Sequence, residues 1–200
     1  MVPAPGACRG PTASPPFALF AGRLIPDKRA AAIVPAIARA RRELPALRAV
    51  IAGDGPERDR IGRVVAAHGL TEAIALRGFL PQAELDALLA SAICLVLPSR
   101  REGYGLAVLE AAAAGVPSVV VAGPDNAAVE WIVEGVNGAI APSAAESDLA
   151  SAILRIHAAG DALRASTAAW FDDLRVRAAQ APALEAMLTL YHDAAGTRRA

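Results

Sequence analysis

Aromatic side chains are scarce in this sequence, at 4% of 200 residues, and there are only two cysteines and three histidines. Cys8 sits in a proline-rich leader and Cys94 inside an apolar run, so neither a disulfide framework nor a zinc site is supported. His68, His157 and His192 fall on separate predicted helices without metal-ligand spacing, and read as solvated or packed imidazoles. Net charge is also lacking: twenty basic and twenty acidic side chains balance. No global field therefore favours nucleic acid or an anionic membrane, and an anion site has to be local. No apolar run reaches the roughly 18 residues of a transmembrane helix, and the N-terminus lacks a basic region followed by an apolar one. The expected location is cytosolic.

What is abundant is aliphatic: apolar residues make up 54% of the chain, enough for one substantial core in a single domain. Residues 1–16 carry five prolines with Gly6 and Gly10, and read as a linker or chain edge. From Phe17 onward short apolar runs alternate with longer helical patterns, the signature of βα units around a parallel sheet. The runs predict strands at Phe17–Ala21, Ala49–Ala52, Ile74–Leu76, Ile93–Leu97, Ser118–Val121 and Ala139–Ala141. Helices are predicted at Arg29–Glu43, Glu57–His68, Pro81–Ala90, Leu106–Ala114, Ala127–Val133, Ser147–Ala159 and Pro182–Ala195, with Pro35 kinking the first or delaying its start. The expected class is α/β, a Rossmann-like sheet of about six parallel strands flanked by helices. Residues 17–160 would form the domain, and 161–200 its C-terminal helices and a mobile tail ending in Arg198-Arg199.

Ligands of such sheets bind beyond the carboxyl ends of the strands, so charge and glycine in those loops carry the functional information. The first strand runs into Gly22-Arg23-Leu24, with Lys28 five positions past Arg23. Two cations on one loop can converge on a diphosphate, one forked and one as a point charge; taken alone they read more simply as solvated loop charges. Gly53-Asp54-Gly55-Pro56 reads as turn punctuation, with Asp54 able to orient a neighbouring loop. At Arg77-Gly78-Phe79-Leu80, bare backbone and apolar cover could receive a planar base or equally plug the core. The loop Ser99-Arg100-Arg101-Glu102-Gly103-Tyr104-Gly105 then opens the helix that begins Leu106-Ala107 and carries Glu110. Its glycines allow close backbone approach, and the first helical amides can donate to phosphate. Glu110 can accept from a ribose diol and Glu102 from sugar hydroxyls. Either glutamate alone reads as an ordinary acid, Glu102 beside an arginine and Glu110 exposed; their joint spacing favours the ligand.

Together these segments make the chain resemble the C-terminal domain of a family-four, retaining glycosyltransferase of the GT-B fold, from Phe17 to about Ile156. The matching segments are Gly-Arg-Leu with Lys28, Gly53-Asp54-Gly55-Pro56, Gly78-Phe79, and the two glutamates with seven residues between them. Gly115-Val116-Pro117, Glu130 before Gly135-Asn137-Gly138, and Asp148-Leu149-Ala150 extend the match. The resemblance implies that Arg23 and Lys28 hold a donor diphosphate, Glu110 the ribose and Glu102 the transferred sugar. Amides around Gly105, Leu106 and Ala107 would complete the phosphate cradle, with Gly22, Gly103 and Tyr104 beside it and Gly78, Phe79 and Leu80 near the base. Arg23, Lys28 and Glu102 would carry the catalytic load. Two departures stand out: Arg29 replaces a common glycine, and Gly123-Pro124-Asp125-Asn126 replaces a common glycine pair.

A retaining sugar transfer builds negative charge on the leaving diphosphate and oxocarbenium character on the sugar. Cations and a helix N-terminus would stabilise the first, and no Asp-x-Asp motif offers a metal; a metal-independent site without cofactor is the expectation. The partners implied are a nucleotide-sugar donor and an N-terminal acceptor domain not visible in this chain, with no nucleic acid. Peripheral membrane contact would come through the missing half. A non-catalytic nucleotide-sugar-binding module is the alternative. A dehydrogenase-like site ranks below both, because no Gly-x-Gly-x-x-Gly follows the first strand. Trp131, Trp170 and Tyr191 read as packing residues, Arg39, Arg41, Arg42 and Arg48 as compensation of a helix end, and neither Ser99 nor Cys94 has a base to make it a nucleophile.

Overall fold

The structure, a computed structural model, describes residues 12–179. Cys8, Tyr191, His192, the Arg198-Arg199 pair and the predicted helix Pro182–Ala195 lie outside those residues. Six strands, β1 (Phe17–Ala21), β2 (Arg48–Ala52), β3 (Ile74–Gly78), β4 (Cys94–Leu97), β5 (Ser118–Val121) and β6 (Gly138–Ala141), form one sheet in the order β3-β2-β1-β4-β5-β6. Every pairing is parallel. The helices are α1 (Ile33–Ala40), α2 (Arg58–Ala67), α3 (Gln82–Ser91), α4 (Leu106–Ala113) and α5 (Glu146–Ala179), the last broken at Gly160, whose φ of 53° and ψ of −139° are not helical.

Alternation along the strands divides the core into two layers. Ala18 and Phe20 of β1, Cys94 and Val96 of β4, and Val119 and Val121 of β5 pack with Ile33, Val34 and Ile37 of α1 and Leu149 and Ile153 of α5. Their neighbours Phe17, Leu19, Leu95, Leu97 and Val120 point the other way, onto Leu89 of α3 and Val108 and Ala111 of α4. Strands covered on both faces read as continuous apolar runs, which is why they were visible in the sequence. β3, at the edge, alternates buried and exposed positions instead.

The order reverses between β1 and β4, since β1 continues to β2 on one side and pairs with β4 on the other. The connections after these two strands leave toward opposite layers and open a crevice at their carboxyl ends. That switch point positions the site.

Two predicted helices are corrected. In place of Arg29–Glu43, single 3-10 turns at Pro26–Lys28 and Ala30–Ala32 precede a helix that starts at Ile33. Arg29 between them is left-handed, at φ 47° and ψ 33°, and interrupts any helix through it. Pro35 lies in the first turn of α1, where its missing N–H costs no hydrogen bond. The segment predicted as Ala127–Val133 is a 3-10 helix over Ala127–Trp131.

Candidate functional site

The loops after β1, β2 and β3 are laced by main-chain bonds. Gly22 N donates to Ala52 O (3.0 Å), Gly53 N to Gly78 O (2.6 Å), Leu24 N to Asp54 O (2.8 Å) and Glu57 N to Leu24 O (2.9 Å). These bonds demand close backbone approach: a Cβ on Gly53 would lie 1.9 Å from Gly22 O, and one on Gly55 2.5 Å from Leu24 O. The glycines read as turn punctuation are therefore what lets the Gly22-Arg23 loop rest on its neighbour. Asp54 orients that loop through its carbonyl, while its carboxylate only caps Gly55 N at 2.8 Å.

Across the switch point, the loop after β1 meets the loop after β4. Lys28 Nζ lies 2.5 Å from Glu102 Oε2, and both side chains are about four-fifths buried, 20% and 18% exposed. The hydroxyl of Ser99, itself buried, is 3.4 Å from the same oxygen. The sequence alternative that paired Glu102 with an arginine is corrected: Arg100 bonds Asp27 at 3.0 Å and Arg101 faces Asp125 at 3.6 Å, both near the surface. Two groups assigned to different parts of one ligand, a diphosphate cation and a sugar acceptor, thus hold each other. Arg23 is exposed and forms no ion pair among the described residues.

The helix start beside them is fixed by packing. Gly105 caps α4 with a left-handed backbone (φ 64°, ψ 26°), and a Cβ there would meet Ala128 Cα at 2.6 Å. Leu106 and Ala107 follow at the helix start, where amides lack intrahelical acceptors. Glu110 is one turn further on and half-buried. Gly103 and Tyr104 are exposed, Tyr104 by 66%. At the end of β3, Gly78 has φ 68°, Phe79 is 85% exposed, and Leu80 packs against the second core layer. Of the two readings left open for that segment, the core-covering one holds for Leu80, whereas Phe79 faces solvent.

Several supporting residues carried no functional signal in the sequence. Glu102 N donates to Asp125 O (2.9 Å) and Ala127 N to Glu102 O (3.0 Å), so the Gly123-Pro124-Asp125-Asn126 loop forms a short bridge alongside Glu102. Buried Asn126 completes it: Nδ2 donates to Val121 O (2.8 Å) and Ser99 O (3.3 Å), and Oδ1 accepts from Ala128 N (3.2 Å). Trp131 Nε1 donates to Tyr104 O at 2.7 Å, so this packing residue also ties down the glutamate loop. An Asn immediately before a helical run is a legible capping signal; its other two bonds depend on the fold. Asn126→Ala should cost about 2–4 kcal/mol, because it strips bonds from buried backbone groups. A melt unchanged within a degree would show that the network contributes nothing.

Cys94 is inert as a nucleophile, since complete burial pushes its thiol up to about 12. Among the described residues no cluster of three or more His, Cys, Asp or Glu side chains is placed to hold a metal, and no helix is long and apolar enough to cross a membrane. A separate concavity lined by Pro15, Arg41, Pro45, Arg48 and Glu72 opens where the strands begin, away from these loops.

The parallel sheet, its order and the loops at its switch point define a Rossmann-like domain of the kind that forms half of a GT-B glycosyltransferase. Residues 10–167 match the family described as Glycosyl transferases group 1, and the chain belongs to that family. It is 40% identical over 115 residues to a glycogen synthase of Mycobacterium tuberculosis, covering 58% of this chain and 28% of that protein. To the alpha-D-kanosaminyltransferase of Streptomyces kanamyceticus it is 29% identical over 141 residues, 70% of this chain and 36% of the relative. The chain therefore spans about a third of these curated relatives. Among solved structures, the pneumococcal O-GlcNAc transferase GtfA in complex with UDP and GlcNAc superposes with a TM-score of 0.74 at 24% identity, covering 88% of this chain and 37% of that one. The C-terminal domain of a group 1 glycosyl transferase (LpcC) from Francisella tularensis gives 0.68 at 24% identity, covering 81% and 85%.

Proposed function

We propose that this chain is the donor-binding half of a retaining glycosyltransferase that moves a sugar from a nucleoside diphosphate to an acceptor. The observation that carries this reading is the meeting of Lys28 and Glu102, from the loops after β1 and β4, at the switch point of the sheet. Lys28 and Arg23 would face the diphosphate together with the amides at Gly105, Leu106 and Ala107. Glu110 would accept from the ribose, and Glu102 would turn from Lys28 to the transferred sugar. Gly22, Gly103 and Tyr104 border that space, and Gly78, Phe79 and Leu80 lie on the base side. As the bond from the anomeric carbon to the phosphate oxygen breaks, its electron pair stays on the diphosphate, where Arg23, Lys28 and the helix start of α4 stabilise it. Fixed cations and dipoles would then do the work of a divalent metal, and no cofactor is needed. The acceptor is bound by an N-terminal domain supplied by another segment or chain, and any peripheral membrane contact belongs to that half; the site works in the cytoplasm.

Calorimetry tests this directly. A nucleoside diphosphate should bind about tenfold to a hundredfold more tightly than its nucleoside, from charge-assisted contacts, and less tightly as salt is raised. Chelator should leave that affinity unchanged. Equal binding of nucleoside and diphosphate across the uridine, guanosine and adenosine series would remove the diphosphate assignment. Strict dependence on magnesium or manganese would remove the metal-independent one.

A further inference from the structure

Arg29 is the single non-glycine residue with a positive φ among the described residues. An L side chain adopts that conformation at a cost that glycine avoids, and such strain persists only where surrounding structure enforces it. What enforces it here is the guanidinium. Nε donates to Pro98 O at 2.7 Å and Nη2 to Ser99 O at 3.0 Å, forking onto consecutive carbonyls just past the end of β4. These carbonyls lie beyond the last β4–β5 register pair, Leu97 with Val120, where the sheet no longer fixes the chain.

The neighbours of Arg29 reach the same segment. Two positions before it, Asp27 O accepts from Arg100 N (2.8 Å) and the Asp27 carboxylate pairs with the Arg100 guanidinium (3.0 Å); one position before it, Lys28 pairs with Glu102 (2.5 Å). Arg29 thus closes a run of three consecutive residues that contact this segment, and the residue whose carbonyl it grips, Ser99, touches the Glu102 carboxylate with its hydroxyl. Burial, and the like charge of Arg100, both push the Arg29 guanidinium below its ordinary pKa. A charge kept on a strained backbone beside another cation is a poor device for stability alone.

We propose that Arg29 is a positioning residue that clamps the loop after β1 to the end of β4 and so holds the Lys28 backbone at the switch point of the sheet. Its ligand consequence rests on the donor-site reading above. Glycine at this position would relax the backbone and lose the clamp; lysine would keep the charge but could not fork to both carbonyls.

The experiment compares Arg29→Gly and Arg29→Lys, each with and without Lys28→Ala. It reads amide exchange at Arg100, melting temperature, and calorimetric binding of uridine and guanosine diphosphate up to millimolar concentration. Both single variants should speed Arg100 exchange about tenfold or more with the exchange of β4 unchanged. They should weaken whichever diphosphate binds by about tenfold, with the melt shifted only a few degrees, because misplaced rather than missing contacts are the cause. In the Lys28→Ala background the affinity loss should vanish, since Arg29 acts through Lys28. Unchanged Arg100 exchange, native affinity in Arg29→Lys, or a loss that persists in full without Lys28 would each overturn the proposal. Should the native chain bind neither diphosphate while Arg29→Gly still speeds Arg100 exchange, the clamp stands and the donor-site reading fails.

Discussion

Gly53→Ala should lower stability by on the order of 3–5 kcal/mol, from backbone strain and overpacking combined. Gly53 holds φ at 134°, and its added Cβ would sit 1.9 Å from Gly22 O and 2.9 Å from Gly22 C, both backbone atoms that cannot swing aside. To admit a methyl group the loops after β1 and β2 must separate, breaking the Gly22 N to Ala52 O and Leu24 N to Asp54 O bonds. For a domain of this size each kcal/mol shifts the melt by roughly 2–4 °C, so the drop should be about 10 °C. Gly69→Ala is the matched control: Gly69 has φ 65° but nothing within 4 Å of its added Cβ, so it reports strain without collision. Gly53→Ala should melt well below Gly69→Ala and, where folded, bind diphosphate more weakly because Arg23 has moved. Equal melts for the two variants would show that the loops yield without cost.

The same contrast separates what the sequence reveals from what it hides. β1 and β5 are read to the residue, because strands covered on both faces are uninterrupted apolar runs bounded by Gly and Pro. The loops at the strand ends are legible as charged, glycine-bearing segments, and two of their charges, Lys28 and Glu102, meet across the switch point. The start of α1 is not legible. Its limit is set by the left-handed turn at Arg29, and arginine gives no local signal for that conformation; it is held by carbonyls about seventy positions away. The mutual pairing of Lys28 and Glu102 is hidden for a related reason. Spacing along a chain assigns residues to loops, but which charges neutralise each other depends on how far two loops approach, and main-chain bonds such as Arg100 N to Asp27 O decide that. Asn126 shows both cases at once: its cap of Ala128 N is local, while its grip on Ser99 O and Val121 O is not.

That pairing changes what substitution of the glutamates should do. Glu110→Ala removes the proposed acceptor for the ribose and should weaken nucleoside diphosphate and nucleotide sugar alike, by roughly 1.5–3 kcal/mol for lost charged hydrogen bonds, which is on the order of tenfold to a hundredfold. Glu102 needs a different account from the one its spacing suggests. On the sequence alone, a residue touching only the transferred sugar should leave free diphosphate unaffected when removed. In the structure Glu102 occupies Lys28 at 2.5 Å, in surroundings about four-fifths buried, so under the proposed assignment a diphosphate would have to compete with it for that ammonium. Glu102→Ala should therefore tighten free diphosphate by about threefold to tenfold, as a screened and partly buried ion pair no longer has to be broken. It should at the same time abolish most of the extra affinity contributed by the sugar, and in the complete enzyme lower turnover, since sugar positioning contributes to the barrier. Both variants need a circular-dichroism melt, because loss of folding imitates loss of binding. With folding intact, calorimetry separates the assignments: Glu110→Ala binding diphosphate normally would free that residue from the ribose, and Glu102→Ala weakening diphosphate and donor equally would make Glu102 a support for Lys28 rather than a rival for it.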